Sequence, residues 1–202
     1  MPRRRSIVLL VAMVTVLAGC SGGGSGSGSG GDGGDAGGSS RAQASEALAA
    51  GLKAQKAGKI ADAKVLYARV LSLEPTNVYA HFDLGVIAQQ QGDVTVALSN
   101  YAAALSFNAM FTPAMYNEAI LYTATNPELA MSLYRQVLVL KPDDADSALN
   151  LGLLEASHGQ RHAAQQHLQL AINENPALAG RIPNKTAAKA QLTPSAQPTS
   201  TP

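Results

Sequence analysis

The chain has no tryptophan and a single cysteine, and only 4% of its 202 residues are aromatic. One cysteine excludes an internal disulfide. So few aromatics leave Ala, Leu, Val and a handful of Tyr to build a core. That palette suits packed helices, because alanine is the best helix former and lets helix backbones approach closely. Also missing is any run that alternates apolar and polar residues through a β-branched stretch bounded by turns, so no strand is expected. Charge of one sign is lacking too, with a formal net of +1 over the whole chain. Arg3, Arg4 and Arg5 sit in a removable leader, and the chain without them is slightly acidic. Without a basic stripe, no nucleic-acid partner is expected. The length admits one domain with appendages.

The lone cysteine has a particular setting. Arg3–Arg5 form a positive n-region, an apolar run extends from Ile7 to Leu17, and Leu17-Ala18-Gly19-Cys20 closes it with small residues. The run is too short to span a bilayer, which takes about 20 helical residues. The last four residues resemble a bacterial lipobox. That resemblance implies a diacylglyceryl group on the Cys20 sulfur, cleavage just before it and acylation of the new amino terminus. Two or more acyl chains anchor a protein stably where one does not. An ordinary signal-peptidase cut near Ala18, or an uncleaved short anchor, are the competing readings. Ser21 to Ser40 are almost all Gly and Ser, with Asp32 and Asp35 the only charges. Such a segment reads as a flexible tether, with a span of roughly 25 Å for a random coil of that length. No strand precedes it and no Gly-Lys-Ser/Thr comes after it, so it is not a phosphate loop.

From there a beat of small residues returns every 34 positions, with one slip. Gly51, Gly85, Ala119 and Gly152 mark it first, and Ala63, Ala97, Ala130 and Ala164 mark it about twelve residues later. Tyr67, Tyr101, Tyr134 and Leu168 follow, then Pro75, Pro142 and Pro176, with Ala109 where the second proline is due. A period of this length means stacked helical hairpins. Each cycle resembles a tetratricopeptide repeat: helix A, a tight turn, helix B, then a proline-marked turn. The resemblance implies an all-α, right-handed α-solenoid of about four helix-turn-helix repeats. The resulting map is leader 1–19, lipidated cysteine and linker 20–43, repeats 44–77, 78–111, 112–144 and 145–176, and a short cap with a disordered tail over 177–202. The slip falls in the third A–B turn, near Thr123 to Pro127, where Asn126 can cap and Pro127 can open the helix. Asp93 is placed to cap the second helix B. Glu118 takes a slot held by Leu84 and Leu151 in neighbouring units, so it must be paired, partly exposed or functional.

In tetratricopeptide proteins the A helices line a concave surface. The matching inward slots are Leu48, Leu52, Tyr79, Phe82, Val86, Tyr116, Ile120, Leu149 and Leu153, with Asp83, Gln89, Gln90, Asn117 and Asn150 as polar members. Some members grip a carboxylate with Lys, Asn and Arg; the matching slots Leu48, Phe82, Tyr116 and Leu149 exclude that clamp here. Tyr79, Phe82, Val86, Tyr116, Asn117, Ile120 and Asn150 are therefore the expected partner-binding groove. It offers aromatic and apolar surface for side chains, and amides for a peptide backbone. Leu48, Leu52 and Leu153 read instead as packing between units, and His81 as a core residue. The outer side of the last helix, around Leu168, Leu170 and Ile172, is expected to be partly exposed and to offer a surface for self-association.

No chemistry of the enzymatic kind is legible. His158, His162 and His167 are close in sequence to Glu155, but Gly159 interrupts the first two and the last two are off one helical face. No metal, cofactor or catalytic set is expected. The sequence therefore reads as a lipoprotein held by palmitate-type acyl chains on the extracytoplasmic face of a bacterial cell membrane or outer membrane. It presents a protein-binding scaffold to the cell envelope, and the alternative is a self-associating structural spacer.

Overall fold

Alanine-rich segments, four of them opened by a polar side-chain cap, give eight α-helices in the computed structural model, which describes residues 35–183, with side chains from residue 38. They are α1 (Asp35–Lys56), α2 (Ile60–Leu73), α3 (Val78–Gln90), α4 (Val94–Phe107), α5 (Thr112–Tyr122), α6 (Pro127–Leu140), α7 (Ala145–Ser157) and α8 (Arg161–Glu174), closed by a 3₁₀ turn over Pro176–Arg181. The chain divides into two units, Met1–Gly33 and Gly34–Pro202, and the described residues all lie in the second. The leader, Cys20 and most of the Gly/Ser segment lie outside them, as does the tail after Pro183.

Packing follows chain order. Each odd helix packs most extensively on the even helix after it, and each pair joins the next through α2–α3, α4–α5 and α6–α7. The fold is thus an all-α solenoid of four helix-turn-helix units. The small-residue beat is what lets the pairs close. A Cβ added at Gly51 would lie 2.6 Å from the Tyr67 ring, and one at Gly85 would lie 2.6 Å from the Tyr101 ring. At Gly152 it would lie 2.7 Å from Leu168 Cγ. Tyr67, Tyr101, Tyr134 and Leu168 are fully buried in those contacts, each contributing about 1.5–3 kcal/mol by area alone.

The turns are built for reversal. Gly58, Gly92 and Gly159 sit at φ 73°, 78° and 76°, where a side chain would be strained. Against the sequence reading, the residue missing from the third unit is not taken from its A–B turn, which spans 123–126 against 91–93 in the second unit. It is taken from α5, with 11 residues against 13 in α3 and α7, and that turn uses no such glycine. There Asn126 accepts from Leu129 N–H and Pro127 opens α6. Asn77, Asp93, Asp144 and Asn175 also accept backbone N–H groups at helix starts. At α5 that slot is Phe111, which makes no side-chain cap.

Four further features differ from the sequence reading. First, α1 begins at Asp35, inside the stretch read as linker. With Ala44 and Ala47 buried to nucleate it, a helix propagates backwards through Arg41 and Ala42 at little cost. Second, the last helix is covered: Leu178 and Ile182, in and just after the 3₁₀ turn, pack with Leu168 and Ile172, all four buried. A short turn suffices because its two apolar residues reach back onto α7 and α8, and Arg181 ties it to Asp146 at 2.9 Å. Third, His81 is only half-buried, with its Nε2 3.0 Å from the Pro75 carbonyl and its ring stacked on Phe107. Fourth, Leu149 is fully buried and lines no groove.

The array also holds a buried charge that residue spacing does not reveal. Glu155 on α7 has no exposed surface; its Oε1 accepts from Arg135 Nη2 at 2.8 Å and its Oε2 lies 2.7 Å from His167 Nδ1. Both oxygens are thereby satisfied, as a buried carboxylate requires.

Candidate interaction face

Repeats are joined by tyrosine hydroxyls that pass between helices. Tyr67 O–H donates to Gln55 Oε1 at 2.6 Å, and Asp83 of the next unit reaches the same hydroxyl. Tyr101 O–H donates to Gln89 Oε1 at 2.6 Å and accepts from Asn117 Nδ2 at 3.3 Å. The Tyr134 hydroxyl has Thr123 and Asn150 beside it in the corresponding slots, and Asn150 Nδ2 donates to Tyr116. Each rung ties the two helices of one unit to the A helix of the following unit. Burial pushes the Tyr101 and Tyr134 phenols up to about 12 and raises Tyr67 further, so all three stay neutral hydrogen-bonding groups.

The A helices lie side by side: α3 touches α5, and Asn150 on α7 donates Nδ2 to the Tyr116 hydroxyl on α5 at 3.1 Å. The seven expected groove residues divide between two places on this face. Tyr116, Ile120 and Asn150 line one cavity of about 450 Å³, together with Leu153, the ring of Tyr134 and Arg181 from the 3₁₀ turn. Tyr79, Phe82 and Val86 lie along α3. Tyr79 is 58% exposed and meets Phe111 edge-on at 5.6 Å, while Phe82 meets Phe111 at 5.3 Å and Tyr101 at 5.9 Å. Asn117 lies between, with one amide N–H already given to Tyr101. The amides thus serve the array first and a guest second.

Three participants escaped the sequence reading. Phe111 stands in a cap slot, where its aromatic character was the readable signal. Arg181 lies outside the repeats. The hydroxyl rungs needed the helix crossing to be known. Asp83, half-buried beside Tyr67, has its carboxyl raised to about 6 by burial, which the Tyr67 hydrogen bond offsets in part. Glu118 is half-buried and likewise raised by burial. His167 meets Glu155, whereas His158 bonds back to the Leu154 carbonyl and His162 is exposed. Among the described residues no group of three or more His, Cys, Asp or Glu is arranged to hold a metal ion, and no helix is long and apolar enough to cross a membrane.

Comparison with known proteins agrees with this architecture. Residues 48–111 match the family model described as Tetratricopeptide repeat. Over 107 residues the chain is 28% identical to the photosystem I assembly protein Ycf3 of Cyanophora paradoxa, covering 50% of this chain and 61% of that protein. The chain therefore spans less than two thirds of that relative. Among solved structures, MamA superposes with a TM-score of 0.60 at 20% identity, over 68% of this chain and 81% of that one. Pseudomonas aeruginosa pilF gives 0.61 at 19% identity, over 75% and 68%. The first TPR of Spaghetti (RPAP3), bound to the HSP90 peptide SRMEEVD, gives 0.54 at 22% identity, over 58% and 94%. At these identities the likeness is one of fold. That fold is typically a non-catalytic scaffold for protein–protein interaction.

Proposed function

We propose that this protein is a membrane-tethered adaptor of the bacterial cell envelope that holds an apolar peptide or helix of a partner protein along α3, α5 and α7. The observation that carries the reading is the exposed aromatic and apolar surface of that face, from Tyr79 and Phe82 to the cavity beside Tyr116 and Ile120. Aromatic side chains concentrate binding energy where they are rigid and partly desolvated. Here the rings are held by one another, so little is lost on ordering them. The tether and anchor rest on the Leu17-Ala18-Gly19-Cys20 motif and the Gly/Ser run behind it.

Tyr79→Ser, Phe82→Ser and Tyr116→Ser together should abolish recovery of the partner by crosslinking and affinity capture, with the circular-dichroism melt still cooperative. Capture at wild-type level removes the groove assignment. For the anchor, Cys20→Ser should shift the protein from the membrane to the soluble fraction and end metabolic labelling with an alkyne fatty acid. Persisting label defeats that part.

A further inference from the structure

No Lys or Arg occurs between Arg69 and Arg135, a stretch that holds Glu74, Asp83, Asp93, Glu118 and Glu128. Three of these carboxylates have local work. Glu74 faces Arg41 at 3.7 Å and accepts from Asn77, Asp93 caps α4, and Glu128 lies in the first turn of α6, where the helix dipole favours it. Asp83 has no basic partner within ion-pair distance among the described residues. It lies one helical turn from Tyr79 on α3 and next to Phe82 in the chain, with its carboxyl meeting Tyr67 of the preceding unit.

The same corner breaks a local rule. Asn77 and Asp144 cap the A helices of the flanking units, but α5 has Phe111 there without a side-chain cap. Losing such a cap costs about 1 kcal/mol. In exchange the site gains a third ring against Tyr79 and Phe82, and it leaves Met110 beside them 70% exposed. Helices α2 and α8 also start without a side-chain cap, so what singles out α5 is the aromatic ring that occupies the slot.

From this we infer that the aromatic corner of Tyr79, Phe82 and Phe111 takes a protein segment carrying a lysine or arginine next to an apolar side chain, with Asp83 as the charge partner. The apolar side chain lies against the rings. The cation sits over the exposed Tyr79 ring and pairs with Asp83. The inference rests on the adaptor reading above and adds the sign of the guest's charge. It also explains why a carboxylate occupies a slot that is Asn117 and Asn150 in the next two units. An amide would serve the Tyr67 rung as well and would escape the desolvation that Asp83 bears.

Fluorescence anisotropy with the full chain tests it. The probes are three labelled amphipathic Leu/Ala peptides, identical except that two positions are both Lys, both Gln or both Glu. The Lys peptide should bind about tenfold tighter than the Gln peptide, the size of one partly desolvated charge-assisted contact, and the Glu peptide should bind most weakly. Asp83→Asn, isosteric and still able to hydrogen-bond Tyr67, should erase the Lys-over-Gln preference while keeping the Gln affinity. Tyr79→Ser should weaken all three and narrow the preference. Equal or reversed preference in the wild type overturns the charge assignment, as does a preference that survives Asp83→Asn. If none of the three peptides binds, the adaptor face itself fails and takes this inference with it.

Discussion

Two carboxylates show how placement decides what a residue does. Glu155 is buried with both oxygens occupied by Arg135 and His167. Removing one partner strands a charge, whereas removing the carboxylate itself removes the need for both. Arg135→Met should therefore cost about 2 kcal/mol in urea denaturation, a value lowered by the exposure of that arginine. Glu155→Met should stay within about 1 kcal/mol of the wild type. If Glu155→Met is the more damaging of the two, the pair is a net stabiliser. Asp83 is the opposite case, a desolvated carboxyl raised to about 6 with no cation beside it. Between the ordinary carboxyl value of about 4 and that value, the folded protein keeps a proton that the unfolded chain has released. Its contribution therefore falls as pH rises through this window. Asp83→Asn should raise the melting temperature at pH 7 and flatten its decline between pH 4 and 6; an unchanged slope would place the titration elsewhere. Neither role was legible in the sequence. The histidines from His158 to His167 lie near Glu155 along the chain, but the arginine that pairs with its carboxylate comes from α6, twenty residues away.

At the scale of helices, the Gly–Tyr contact carries most of the specificity. Replacing Gly85 by Ala gains about 1 kcal/mol of helix propensity, but the new methyl meets the Tyr101 ring at 2.6 Å. That ring is pinned at its hydroxyl by Gln89 and Asn117, so it yields little. Overpacking of about 1–3 kcal/mol prevails, and a net loss of about 1 kcal/mol is expected, read as a melting temperature lowered by a few degrees. A rise in melting temperature would show that the pair has slack. The third unit already carries Ala119 in this slot opposite Tyr134 and has the shortened A helix. This level was the most readable one. A small residue must face a large one wherever two helices touch, and that need recurs in sequence with the period of the structure. What period could not reveal was the hydroxyl rung, which depends on where a third helix arrives.

For the molecule as a whole, the end of the array separates an adaptor from a spacer. Leu178 and Ile182 cover Leu168 and Ile172, so the last unit does not present an open apolar end. Leu178→Ser with Ile182→Ser should uncover it, lowering stability by about 2 kcal/mol or more and promoting association seen by light scattering. A variant that stays as stable and as monodisperse as the wild type would deny the turn its capping role. By itself the sequence determined the class of fold, the number of units and the one-residue slip in the third unit, because each follows from residue spacing along a single chain. The start of α1, the closure of the last helix, the buried Glu155 and the aromatic corner around Phe111 were decided by tertiary structure. Each depends on side chains from different helices meeting in space, and the free energy of such a meeting appears only once desolvation and partners are known together.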